Sequence, residues 1–387
     1  MAGKRLLTLA IGANQTLTWG MTFYLPAVIA GPAGATLGAS RAAILGAFSC
    51  ALLISGFCAP RVGRHIDRHG GRGILLAGCT ISAAGLILLG LAQGVASWYL
   101  AWLVLGVGMA LSLYDVAFAT VGCLLGREAT PVITGITLMA GFASTIFWPI
   151  GALLTEAIGW RATLFCYAAI QLLVNLPMVI ATVPGGAPRE AEAKPPPSGE
   201  ASHVRAVALT CLASFFTLRW FVTSSIAVFV LPLLQSLGLT LERAILVAAL
   251  IGPGQVAGRM IEFTLGPRMH LLHRARLAAA LCPVALLVLL FGGPLAAPAF
   301  ALLYGMSNGI LTINRGTLPM AIFGPAGYAS LLGWLAVPVL LAQASAPTLA
   351  APLMDALPPT GVVIAAAAAT GFAVLLLLPL RLPVAPE

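Results

Sequence analysis

The chain has 387 residues, of which 60% are hydrophobic and only 8% charged, with a mean hydropathy of +1.02. A soluble globular protein carries about 25% charged residues to hydrate its surface, so this composition excludes one, and most of the surface must face lipid. The net charge of +9 would suit nucleic acid in a soluble protein; here it reflects how a membrane chain distributes its lysines and arginines, and no nucleic-acid partner is expected.

A bilayer core takes about 20 apolar residues per helix. In chain order the apolar runs predict spans over Leu6–Ala30, Arg41–Val62, Ile74–Gln93, Trp98–Leu125, Val132–Ala157, Ala162–Val183, Val207–Leu237, Ala244–Leu265, Leu277–Gly292, Ala296–Ile313, Tyr328–Leu349 and Val362–Leu380. Lys4 and Arg5 precede the first run as in a signal peptide, but no persuasive cleavage site follows, so it reads as a retained helix. Runs this long and continuously apolar exclude the ten-residue alternation of barrel strands. The seven cysteines fall in or beside apolar runs without a CxxC pair, as fillers of helix interfaces.

Lysine and arginine set the orientation. Fourteen, from Lys4 to Arg381, fall on one set of alternate loops; only Arg41, Arg161 and Arg243 fall on the other. The bias predicts both termini in the cytoplasm. Between the sixth and seventh spans the sequence turns polar and Pro-rich, which marks a cytoplasmic linker at 184–204 between six-span bundles at 1–183 and 205–387. The two halves share a pattern. Gly63-Arg64-His65-Ile66-Asp67 matches Gly258-Arg259-Met260-Ile261-Glu262, and Gly71 matches Gly266 at the same offset. Phe23-Tyr24-Leu25-Pro26 resembles Phe229-Val230-Leu231-Pro232, and Gly108-Met109 resembles Gly305-Met306. The common order indicates duplication of a six-helix unit.

The segment GRHIDRHGGR at 63–72 resembles the signature loop of the major facilitator superfamily, in the expected place between the second and third spans. The resemblance covers essentially the whole chain. It implies an all-α membrane fold of twelve helices in two pseudo-symmetric bundles, alternating access, a small-molecule substrate and a monomer as the default. It also implies a cytoplasmic gate: Gly63 and Asp67, with Arg68 and Arg72 as basic partners, and Arg259 and Glu262 as the second-half pair. Below superfamily level the pattern departs from drug–proton antiporters. Trp102 stands where their fourth-helix Arg would fall, and Trp148-Pro149-Ile150-Gly151 lacks the first Gly of their fifth-helix motif. Tyr114-Asp115-Val116-Ala117-Phe118 and Asn314-Arg315-Gly316-Thr317-Leu318-Pro319 look more like bacterial members near the monocarboxylate-transporter branch, which suggests a bacterial inner membrane.

Ionisable residues inside spans are costly and mark cavities or partners. Asp115 is a candidate proton-coupling carboxylate or ligand for a cationic group, with a fixed structural ion pair as the bland alternative. Arg219 and Arg315 are candidate forks for a substrate carboxylate or phosphate; the alternatives are a pair with Asp115 and a place on the cytoplasmic rim. In the superfamily the first, fourth, seventh and tenth helices line the central cavity, and these three charges lie on three of them. Further cavity candidates are Asn14, Gln15, Thr18, Trp19 and Tyr24 on the first span and Asn308 and Asn314 on the tenth; each could equally bond a neighbouring helix. Gly254/Gly258 and Gly305/Gly309 read as packing sites. His270 and His273 beside Met269 lack a third ligand, and neither metal nor cofactor is expected.

The absence of HExxH, GxSxG, paired-carboxylate and Walker patterns argues against an enzyme or an ATP-driven pump. Two arginines and one aspartate suit a proton-coupled transporter of a small anionic or zwitterionic solute. Efflux of a drug or toxic metabolite is the alternative within the fold, and a non-transporting receptor or assembly factor the alternative outside it.

Overall fold

The computed structural model describes residues 2–185 and 200–382. Its α-helices, in chain order, are α1 (Ala2–Met21), α2 (Pro26–Leu37), α3 (Arg41–His69), α4 (Arg72–Gly90), α5 (Val95–Ser112), α6 (Tyr114–Leu125), α7 (Ala129–Ala140), α8 (Ala143–Ile170), α9 (Leu176–Thr182), α10 (Glu200–Ser236), α11 (Leu241–Ala249), α12 (Ile251–Leu265), α13 (Leu271–Phe323), α14 (Tyr328–Ala356) and α15 (Pro359–Leu376). No strand occurs among the described residues. Of the expected linker, 186–199 lie outside the described residues, and α10 already begins at Glu200.

Eight helical runs among the described residues are long and apolar enough to cross a membrane, but two exceed a single crossing: Val95–Thr182 with 88 residues and Leu271–Phe323 with 53. The first turns back at the 3-10 segment Gly126–Glu128 and again at Gly159 (φ 81°). The second turns at Gly293 (φ 58°). Both glycines adopt left-handed backbone, where a Cβ would be strained. The first span, α1 with α2, is not among these runs because it is broken over 22–25 and because α1 carries Lys4 and Arg5 as well as the polar Asn14, Gln15, Thr16 and Thr18. Counted with it, and split at these turns, the helices make twelve crossings.

The chain divides into two compact units, Met1–Ala191 with Gly324–Leu341, and Glu192–Phe323 with Ala342–Glu387. In the first unit α4 packs on α5, α3 on α5 and α1 on α7. Two of its spans are broken. Pro26 removes one amide donor and crowds the carbonyl four residues back, so the first span unwinds over 22–25 between α1 and α2. The fourth span, expected as one helix, breaks at Leu113 (ψ −174°) without help from Gly or Pro. There Val116 N–H bonds Leu113 O rather than Ser112 O, which frees the Ser112 carbonyl. In lipid such a group must be satisfied by protein, and Gln15 Nε2 donates to it at 2.7 Å.

In the second unit α12 packs on α13, and α13 and α10 on α15. The small residues bring backbones together: a Cβ on Gly258 would stand 2.5 Å from Met306 O, and one on Gly309 would stand 2.2 Å from Gln255 O. Close approach of this kind is the main source of helix association where lipid removes the hydrophobic drive.

Candidate functional site

The second unit buries a cation among neutral groups. Arg219 and Thr223 lie one turn apart on α10; Tyr304, Ser307 and Asn308 share a face of α13. Arg219 is only 1% exposed. Its Nη1 donates to Thr223 Oγ1 at 2.5 Å, and its Nη2 to Asn308 Oδ1 at 2.6 Å and Ser307 Oγ at 3.3 Å. The guanidinium carbon sits 5.6 Å from the Tyr304 ring centre, and Nε has no partner. No carboxylate among the described residues lies within ion-pair distance of it. Taking an ion out of water costs several kcal/mol, and hydroxyl and amide oxygens compensate only in part. One residue on, Trp220 receives Arg315, whose guanidinium stands 5.6 Å from its ring centre.

The first unit holds a buried amide network. Asn14 Nδ2 donates to Asn175 Oδ1 at 2.8 Å, and Gln15 Nε2 to Asn14 Oδ1 at 3.0 Å. Asn175 Nδ2 donates to Thr18 Oγ1 at 3.0 Å and to Gln171 Oε1 at 2.8 Å. Gln171 and Asn175 bound a π-helical turn, Gln171–Asn175, and all five side chains are at most 1% exposed. Asn14 and Thr18 therefore face the sixth span within their own unit. Tyr24 lies instead in an aromatic group, 6.0 Å from Trp19 and 5.8 Å from Trp148 between ring centres.

Asp115 occupies the first turn of α6, just past the break, and is half-buried. It lies within electrostatic reach of Tyr328, the first residue of α14. The next two amides of α14 are capped by Asp67: Ala329 N–H donates to Oδ1 at 3.1 Å and Ser330 N–H to Oδ2 at 2.8 Å. A carboxylate at a helix N-terminus satisfies orphan donors and complements the dipole. Gly63 makes the approach feasible, since a Cβ there would stand 2.3 Å from Ala329 O. Cys123 completes the cluster, its Sγ 4.0 Å from Asp67 Oδ1.

The family model described as Major Facilitator Superfamily matches residues 9–337. The chain belongs to the major facilitator superfamily. It is a multi-pass membrane transporter of the secondary type, and not an enzyme. Similar solved structures are the human organic anion transporter MFSD10 (TM-score 0.76, 16% identity, 97% of this chain and 99% of that one), the proton:xylose symporter XylE (0.72, 11%, 97% and 95%) and the E. coli fucose:proton symporter FucP (0.72, 12%, 97% and 98%). No curated protein matches the sequence significantly.

Within this superfamily fold several expected pairings form differently. Arg72 does not reach Asp67; its Nη2 donates to Ile180 O at 2.8 Å, because it starts α4 beside the end of α9. Arg68 is exposed. The Arg259–Glu262 pair is not formed: Glu262 Oε1 takes Arg274 Nη1 at 2.8 Å, while buried Arg259 meets only Gln255 Oε1 at 3.5 Å. The three-residue spacing would permit that pair, but Glu262 takes its cation from the basic segment that follows. His270 and His273 stand 5.2 Å apart between ring centres, with no third ligand to form a metal group among the described residues.

Thr223, Tyr304, Ser307, Gln171 and Asn175 were not singled out by sequence. Gln171 and Asn175 carried a signal, two amides four apart in an apolar span. Thr223 and Ser307 carried one only through their spacing from Arg219 and Asn308.

Proposed function

We propose that this transporter moves a small organic anion or zwitterion across a bacterial inner membrane, coupled to protons, by alternating access. The observation that carries this reading is Arg219: a buried guanidinium whose partners are all neutral. A substrate carboxylate would supply the missing negative charge, replacing Asn308 and Thr223 as acceptor and engaging Nε as well, in the two-pronged geometry that favours Arg over Lys. Trp220 holds Arg315 as a second cation, suited to steering the anion or holding a second acidic group. The organic anion transporter and the two proton symporters among the similar structures agree with the reading, but at 11–16% identity they bear on fold alone.

Asp115 is the proposed proton carrier. A change in its charge would be felt at Tyr328, and so at the first turn of the helix that Asp67 caps. That gives protonation a physical route to the gate.

The test is a thermal-shift screen of purified protein at about pH 5.5 and 7.5, setting small carboxylates against lipophilic cations. We expect carboxylates to stabilise the protein. Arg219→Lys should weaken the best hit about 10- to 100-fold, equivalent to about 1.4–2.8 kcal/mol. Stabilisation by cations alone, lost in Asp115→Asn, would overturn the anion reading and favour efflux. In proteoliposomes, Asp115→Asn should abolish proton-driven accumulation while leaving ligand binding within a few-fold.

A further inference from the structure

A second binding feature lies in the first unit, at the end of the fifth span remote from Asp67. Here α2 and α8 enclose an open groove of about 830 Å³, lined by Val28, Pro32, Trp148, Thr155, Glu156 and Trp160 among others. Its lining is largely apolar, and Glu156 is the charged group on it. Four observations converge on the charge it would take.

The helical backbone of α8 stops at Gly159 (φ 81°). The carbonyls of the preceding turn point toward this end and form the negative pole of the helix dipole. Glu156 sits in that last turn, where a carboxylate is electrostatically misplaced unless a cation joins it. No ion pair holds it among the described residues. The nearby Arg161 is committed elsewhere, stacked 4.3 Å from the Trp160 ring centre and donating to Ala92 O at 2.6 Å.

Thr155 adds a polar atom with no partner: its Oγ1 is buried and makes no hydrogen bond. Other helical threonines in this unit bond back to the carbonyl four residues earlier, as Thr134 does to Thr130 and Thr163 to Gly159. Trp148, 48% exposed, supplies an indole ring, which attracts cations; Trp160, fixed through Nε1 to Thr36 Oγ1 at 3.2 Å, already carries Arg161 on its ring and adds apolar wall. An anion would meet Glu156 and the helix end with repulsion. A neutral solute would leave Glu156 uncompensated.

We propose that this groove is a binding site for an organic ammonium group attached to an apolar body. Its charge lies against Glu156, Thr155 Oγ1 and the terminal carbonyls of the helix, and its body lies along Val28, Pro32 and the two tryptophans. The inference does not rest on the anion reading of Arg219. The same chemistry is offered by a soluble amine and by an amine-bearing lipid headgroup.

The experiment is a tryptophan-fluorescence titration of the full chain in delipidated maltoside micelles, with hexylammonium as probe and hexanol as its neutral counterpart. We expect a saturable change with hexylammonium only, and affinity at least tenfold weaker in Glu156→Gln. That exposed substitution removes a charge disfavoured at a helix C-terminus and should not lower the thermal midpoint, and Glu156→Asp should restore part of the affinity. A Glu156→Gln titration superimposing on the wild type, or equal response to hexanol, would overturn the proposal. Competition by a short-chain phosphatidylethanolamine but not by phosphatidylglycerol would support it with the lipid headgroup as source. Competition by neither would support it with a soluble amine as source.

Discussion

Asn314 carries two polar side-chain atoms, is fully buried, and finds a partner for neither. An unsatisfied buried amide costs about 1–3 kcal/mol, so Asn314→Leu should raise the thermal midpoint. If it also lowers transport, Asn314 serves a conformation in which its amide is bonded; an unchanged or lower midpoint would show that it already has a partner. Gln15 presents the opposite case, since its Nε2 satisfies the carbonyl freed at Ser112. Gln15→Leu orphans that group and should cost about 1–3 kcal/mol, read as a lower midpoint. At this scale the sequence exposed charges better than partners. Arg219 and Asn308 were legible because each is anomalous in an apolar span, whereas Ser307 and Thr223 are ordinary membrane-helix residues until a guanidinium lies beside them.

At the scale of the element, Asp67 acts as a helix cap whose target is distant in sequence. Asp67→Ala removes two amide acceptors from the start of α14 and should cost about 0.5–2 kcal/mol, the usual range for a lost N-cap. Asp67→Asn keeps one acceptor oxygen and should lie between. Gly63→Val places a side chain against the Ala329 carbonyl and should cost as much or more, since overpacking alone costs about 1–3 kcal/mol. Equal midpoints for wild type and Asp67→Ala would show that the cap does not hold. The sequence repeat located both copies of the loop but not their division of labour. Asp67 caps a helix, whereas Glu262 pairs with Arg274. The motif fixes spacing on one helix, and the partner comes from whichever neighbour packs there. The break at Leu113 left no sequence mark, because no Gly or Pro causes it and its compensation comes from another helix.

For the whole molecule, hydropathy and charge alternation made twelve crossings legible, since the bilayer imposes span length and the charge bias sets loop sides. What they did not reveal is a device used by both units. Arg72, starting the third span, donates to Ile180 O at the end of the sixth. Arg276, near the start of the ninth, donates to Leu377, Leu378 and Leu380 carbonyls at the end of the twelfth. Each places a cation at a helix C-terminus, where orphan carbonyls and the dipole favour it. Arg72→Ala and Arg276→Ala should each cost about 1.5–3 kcal/mol in stability, the range for charged hydrogen bonds, read as a lower midpoint. Lying in different units with no shared partner, they should add to within about 0.5 kcal/mol in the double variant; marked non-additivity would mean that the two contacts are energetically coupled.

These two arginines also bear on the order of synthesis. Arg72 precedes the carbonyl it closes on by 108 positions, and Arg276 precedes Leu378 by 102. At about 5–20 residues per second of translation, each guanidinium enters the membrane about 5–20 s before its acceptor exists. Each bundle therefore passes through a nascent stage with five helices inserted and its clasp open. Released chains truncated before Ile180 should be degraded faster than released chains ending in the linker.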